Sequence, residues 1–144
     1  MDTEQSSISS LKEYLIDNGI KPSFQRLKIY EYLAKAVTHP TVDMIFSDLT
    51  EEIPTLSKTT IYNTLNLFQD SGIVTGLTIE SNEVRYDPDT SMHAHFKCFE
   101  CGGLFDIPIE GSFHVRDIAG EHRVKESHIY LKGTCKNCLK SVEP

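Results

Sequence analysis

Four cysteines, all in the last third of the chain, form two hooks, Cys98-Phe-Glu-Cys101 and Cys135-Lys-Asn-Cys138, with 33 residues between them. Each Cys-x2-Cys knuckle can offer two thiolates to one centre. Two knuckles supply the four sulfur ligands that tetrahedral Zn²⁺ takes with no position left open. Gly102-Gly103 and Gly133 stand where tight backbone turns around a metal need them. The competing use is two disulfides, which a cytoplasmic setting disfavours. A thioredoxin-like redox pair would need one Cys-x-x-Cys opening a helix in a βαβ unit. The spacing predicts one structural zinc per subunit.

A second set mixes imidazoles and carboxylates. His93-Ala94-His95 precedes the first knuckle. On a strand, residues i and i+2 face one side, so both rings can meet one ion. Asp87 and Asp106 flank the pair in sequence, while His39 lies far upstream in His39-Pro40-Thr41. Such an N/O set suits Fe²⁺, Mn²⁺ or Zn²⁺. The plainer reading stays open: His-x-His as polar strand surface, Asp87-Pro88 as a turn, His39-Pro40 as a helix-entry loop. His114, His122 and His128 show no partner pattern and read as solvated or locally bonded.

A third set could touch nucleic acid. Ser57 caps a helix whose Ile61, Leu65 and Phe68 face a core, which leaves Lys58, Thr59, Tyr62 and Asn63 on the outward side of its first turns. Recognition helices meet base edges there. Asn pairs bidentately with adenine, and Tyr or Thr reach phosphate or a thymine methyl. An ordinary amphipathic helix with a polar face has the same pattern. Charge gives no support: residues 1–76 hold six Lys+Arg against ten acids, and the whole chain is −7. Non-specific affinity for DNA should be weak, and specific binding must rest on a few placed side chains, carried on two copies at once.

Around these residues the chain divides in two. Ser9 or Ser10 caps a first helix with Leu11, Tyr14 and Leu15 at helical spacing, stopped at Asn18-Gly19. Pro22-Ser23 opens a second helix with Leu27, Ile29, Tyr30 and Leu33. Thr41 caps a third with Met44, Ile45 and Leu49, and Pro54 precedes the fourth. Residues 74–79 and 83–86 read as a hairpin around Ser81-Asn82. Helices followed by a hairpin make a winged helix-turn-helix over residues 1–87. Residues 88–144 read as short strands (95–98, 104–107, 124–131) around a helix near 112–119. A core that small is marginal without a staple. With 144 residues, 39% apolar and 24% charged, the chain is of globular type with no apolar run long enough to span a membrane. The polar N-terminus lacks a signal peptide's order, so the expected location is cytoplasmic.

Taken jointly, Gln25-Arg26, His39-Pro40-Thr41-Val42-Asp43, residues 57–65, Arg85-Tyr86-Asp87, His93-Ala94-His95 and the two knuckles resemble the ferric uptake regulator family across nearly the whole chain. The resemblance implies an α+β protein: an N-terminal winged-helix DNA-binding domain and a small C-terminal α/β dimerisation domain with the four-cysteine zinc site. It also implies a homodimer that binds a palindromic DNA operator, with Arg26, Lys58, Thr59, Tyr62 and Asn63 as candidate contacts. The family's regulatory ligands fall on His39, Asp87, His93, His95 and Asp106, which would hold one Fe²⁺ or Mn²⁺ per subunit. Ser23-Phe24 replaces the family's usual Thr-Pro. A further metal site of some members is not carried over, because Met92 and Ala94 stand at its positions.

Two positions resemble the family's peroxide-sensing repressors: Asp106, where many iron sensors have Glu, and Thr60-Ile61-Tyr62-Asn63, where many have Tyr-Arg. In that branch His39 and His93 are the oxidation-sensitive residues. The expectation is a metal-dependent repressor, not an enzyme, with peroxide its one small-molecule substrate. The alternatives are an iron-, zinc- or manganese-uptake regulator of the same family and, more remotely, a non-haem iron enzyme or a zinc-stapled interaction module.

Overall fold

The computed structural model describes residues 2–36, 38–109 and 119–142. They fall into two compact units, Met1–Thr90 and Ser91–Pro144.

The first unit is helical with a small wing. Helix α1 (Asp2–Asp17) begins well before the expected cap. No Gly or Pro interrupts residues 2–10, so Ser9 and Ser10 lie inside the helix instead of starting it. It stops as expected: the Asn18 side-chain amide donates to the Tyr14 carbonyl (2.8 Å), and Gly19 takes φ 77°, which a residue with a Cβ adopts only at a cost. Helices α2 (Phe24–Lys35), α3 (Val42–Leu49) and α4 (Lys58–Asp70) follow. Each is opened by a hydroxyl that accepts a backbone N–H three residues on: Ser23 from Arg26 (3.2 Å), Thr41 from Met44 (3.2 Å) and Ser57 from Thr60 (3.1 Å). Each such cap contributes about 1 kcal/mol. Leu15, Ile29, Leu33, Ile45, Ile61, Leu65 and Phe68 are completely buried in one core. Truncating Phe68 to Ala would cost about 3–5 kcal/mol. The wing pairs β1 (Thr75–Leu77) with β2 (Arg85–Asp87), antiparallel, Gly76 opposite Tyr86. It is shorter than the sequence suggests.

The second unit is a three-stranded sheet, ordered β4-β3-β5, from β3 (His93–Cys98), β4 (Leu104–Pro108) and β5 (Ile129–Gly133). β3 runs antiparallel to β4 and parallel to β5. Of the expected strand 124–131, only the end is paired; Lys125, Glu126, Ser127 and His128 are too polar to bury and stay exposed. A short helix α5 (Lys136–Val142), read in the sequence only as a knuckle, closes the chain. The helix expected near 112–119 lies almost wholly outside the described residues. Among the described residues of this unit only Ala94, His95, Cys98 and Cys135 are buried. None is a large apolar side chain. The architecture is α+β, a winged helix-turn-helix followed by a small α/β unit with a four-cysteine cluster.

Candidate metal centres and nucleic-acid face

The two knuckles meet. Cys98 ends β3, and Gly102, at φ 73°, turns the chain back so that its N–H bonds the Cys98 carbonyl (3.0 Å). The Phe99 N–H donates to the Gly133 carbonyl (2.8 Å), which fastens the first knuckle beside the second. All four sulfurs lie within 4.8 Å of one another, with Cys98–Cys138 and Cys101–Cys135 both at 3.8 Å. No cysteine is in a disulfide. A tetrahedron with Zn–S bonds of about 2.3 Å has edges of about 3.8 Å, so the spacing fits that ion.

The electrostatics point the same way. Cys98 Sγ accepts the N–H groups of Cys101 (3.5 Å) and Cys135 (3.3 Å), which pull its thiol down to about 6. Cys138 is pushed up to about 12, first by its bond with Cys135 and then by burial. Four thiolates this close repel one another, and a divalent cation at their centre removes that conflict.

The mixed His/Asp set is laid out in two halves, each inside its own unit. In the N-terminal half, His39 stands in the loop before α3 with φ 46° and is buried; its Nδ1 lies 3.7 Å from Asp87 Oδ2. Asp87, buried at the end of β2, also accepts the Asp89 N–H at Oδ1 (2.9 Å). The loop and the wing are tied by the Tyr86 N–H bonding the Pro40 carbonyl (3.0 Å). Arg85 supports the same loop, and sequence reasoning used it only as a family motif: its Nη1 donates to the carbonyls of Thr38 and His39, and its Nε pairs with Glu80.

In the C-terminal half, the i, i+2 expectation is realised on β3. His93 Nε2 and His95 Nε2 are 3.0 Å apart. Asp106 sits directly across the ladder from His95 on β4, with Oδ1 3.4 Å from His95 Nε2 and 3.7 Å from His93 Nε2. Ser91, which the sequence did not single out, decides the His93 tautomer. Its carbonyl can only accept, so His93 Nδ1 donates to it (2.8 Å) and the Nε2 lone pair is left for the site. Two ring nitrogens and a carboxylate oxygen converging within 3.7 Å suit a cation with mixed N/O preference.

The candidate DNA contacts share one face of the first unit only in part. Thr59, Tyr62 and Asn63 are exposed on α4, Tyr62 by half its surface. Asn63 and Arg26 line an open cavity of about 440 Å³ with Lys21, Gln25 and Thr60. Arg26 is held by a bond to the Lys21 carbonyl (2.8 Å). Lys58 pairs with Asp43 (2.9 Å) and lies over the Phe46 ring, whereas the Arg26 guanidinium has further N–H donors beyond the one on Lys21.

A model described as the ferric uptake regulator family matches residues 17–133. The peroxide operon regulator of Bacillus subtilis is 34% identical over 131 residues, spanning 89% of this chain and 90% of that protein. The peroxide-responsive repressor PerR of Staphylococcus aureus is 34% identical over 137 residues, 93% of this chain and 90% of its own. The crystal structure of the Campylobacter jejuni peroxide stress regulator superposes with a TM-score of 0.64 at 25% identity, covering 91% of this chain and 98% of that one. With these matches along most of its length, the chain belongs to the ferric uptake regulator family.

Proposed function

We propose that this protein is a cytoplasmic, homodimeric, metal-dependent transcriptional repressor that senses hydrogen peroxide and then releases a palindromic operator. The observation that carries the reading is the Asp106–His95–His93 cluster, in which the shorter carboxylate, Asp and not Glu, faces both imidazoles from the paired strand. The peroxide-responsive names of the Bacillus and Staphylococcus relatives support it.

In this reading Cys98, Cys101, Cys135 and Cys138 hold a structural Zn²⁺, one per subunit. His39 and Asp87 from the N-terminal unit, with His93, His95 and Asp106 from the C-terminal unit, are the ligands of one Fe²⁺ or Mn²⁺. Three imidazoles and two carboxylates form a donor set that would suit ferrous or manganous ion. Ferrous iron, when bound, supplies the single electron that cleaves peroxide into hydroxide and an oxidant too reactive to travel.

The residues do the rest. His39 and His93 take up oxygen, and an oxidised ring is a poorer ligand. Losing His39 detaches the N-terminal unit from the ion, so the ion no longer favours the DNA-competent arrangement. Thr59, Tyr62 and Asn63 on α4 and Arg26 on α2 meet the duplex, and Lys58 joins them when it gives up Asp43. A gel-shift titration tests the reading: Fe²⁺-loaded protein should leave operator DNA on one peroxide dose, and Mn²⁺-loaded protein should stay. A uptake regulator would stay bound in both forms, and release would follow metal removal alone.

A further inference from the structure

A hydrogen-bonded chain that the function above does not use runs from Glu126 and His128, just before β5, to Tyr130 within it. Glu126 Oε2 lies 3.2 Å from His128 Nε2, and His128 Nδ1 lies 3.1 Å from the Tyr130 hydroxyl. The directions follow from the chemistry of the groups. An ionised carboxylate only accepts, so a neutral His128 donates through Nε2–H to Glu126. Its Nδ1 then carries the lone pair, and the Tyr130 hydroxyl donates to it. Tyr130 is thus a phenol whose proton already points at a base, and the base is backed by an anion.

The other end of Tyr130 meets the ligand cluster. In the parallel pairing of β3 and β5, Tyr130 is the register partner of His95. Their rings are 6.4 Å apart, centre to centre, at 61°. His95 in turn stacks edgewise on His93 at 4.4 Å. A half-buried phenol with a proton acceptor on one side and the sensing imidazoles on the other is arranged to lose a proton and an electron together.

We propose that Tyr130 is a redox relay of the sensing site, an electron donor that competes with His39 and His93 for the oxidising equivalents of peroxide. The inference rests on the peroxide reading given above. In the step, one H₂O₂ accepts two electrons, one from ferrous iron and one from the phenol, and its O–O bond breaks to give two hydroxide ions. The phenolic O–H bond breaks, its proton forms a new N–H bond at His128 Nδ1, and the resulting imidazolium is held by Glu126. Iron ends as Fe³⁺ and Tyr130 as a neutral tyrosyl radical. No oxygen is added to a ligand in that turnover, so the ligand set survives and repression outlasts the first oxidising equivalents.

The test compares wild type, Tyr130→Phe and His128→Asn, each loaded with Zn²⁺ and Fe²⁺, at less than one equivalent of peroxide. Freeze-quench electron paramagnetic resonance reads the radical, and peptide mass spectrometry reads oxygen on His39 and His93. Wild type should give a tyrosyl signal that both variants lose. Oxygen on the histidines should rise about twofold in both, the value for two sinks competing at equal barriers. Equal histidine oxidation in all three proteins with no radical in wild type would overturn the relay and leave the peroxide reading standing. A Tyr130-dependent radical without histidine oxidation in any variant would support the relay and overturn that reading. Oxidation of neither residue type would overturn both.

Discussion

The Arg85 guanidinium reaches from β2 to the loop before α3 and donates through Nη1 to the His39 carbonyl at 3.2 Å. It also holds the Thr38 carbonyl at 3.3 Å, while Glu80 anchors its Nε. His39 has φ 46°, a left-handed conformation that costs a residue with a Cβ about 1–2 kcal/mol. The conformation persists because Arg85 and the Tyr86–Pro40 bond hold the loop from the wing side. It turns the buried His39 ring toward Asp87.

Arg85→Lys keeps the charge but loses the planar fork that serves two carbonyls and Glu80 at once. As a partner one step removed from proposed ligands, Arg85 should matter to the regulatory site by about 10- to 100-fold in affinity. Calorimetric titration of the zinc-loaded variant with Mn²⁺ should show that loss with an unchanged circular dichroism spectrum. Wild-type affinity in Arg85→Lys would mean the loop holds His39 without it.

Among its described residues the second unit buries no large apolar side chain, and the cysteine cluster is proposed as its staple. Cys135→Ser removes the sulfur that lies 3.8 Å from Cys101 Sγ and keeps the backbone N–H that donates to Cys98 Sγ, so it isolates the loss of one metal ligand. Zinc content and dimer should be lost together, because metal binding and folding are one equilibrium in such units. Elemental analysis and sedimentation check it. A zinc-replete dimer of Cys135→Ser would contradict the structural role.

Asn63 is exposed on α4, and in the proposed reading it would meet a base edge. Asn63→Ala should weaken binding to the specific operator by about 1–3 kcal/mol and to random DNA far less. Fluorescence anisotropy at fixed salt measures both. Equal losses would put Asn63 on the phosphate backbone.

Tyr32 supplies a pH prediction. Burial, and then its 2.5 Å bond to Asp48, push its phenol up to about 12. The folded value lies above the ordinary value of about 10, so the folded protein keeps a proton that the unfolded chain sheds. The stabilisation is whole below about pH 10 and disappears as pH climbs to about 12. The Tm difference between wild type and Tyr32→Phe should shrink over that window. A difference constant through it would refute the assignment.

The readable parts of the sequence were those with local causes. Ser23, Thr41 and Ser57 announced their helices because a cap needs only its own N–H three residues on, and Asn18-Gly19 announced a stop because left-handed backbone favours glycine. The start of α1 was not legible, since residues 2–10 contain no breaker and serine serves inside a helix as well as before one. The i, i+2 rule placed His93 and His95 together, and the knuckle spacing gathered the four sulfurs. His39 stands in the sequence only as a distant histidine, and the family resemblance alone joins it to the set, since its approach to Asp87 depends on the wing folding back onto the loop before α3. Arg85 and Ser91 meet the His/Asp set through backbone carbonyls and Tyr130 lies beside His95 by strand register, relationships that residue types alone do not reveal.

The central claim is that oxidation falls on imidazoles of the regulatory site. Peptide mass spectrometry of zinc-loaded protein carrying Fe²⁺ or Mn²⁺, before and after one modest peroxide dose, tests it most directly. An added oxygen is expected on His39 or His93 in the iron form and none in the manganese form, with cysteines unchanged in both. Oxygen or disulfides on Cys98, Cys101, Cys135 or Cys138, with His39 and His93 intact, would make the sensor thiol-based and contradict the account.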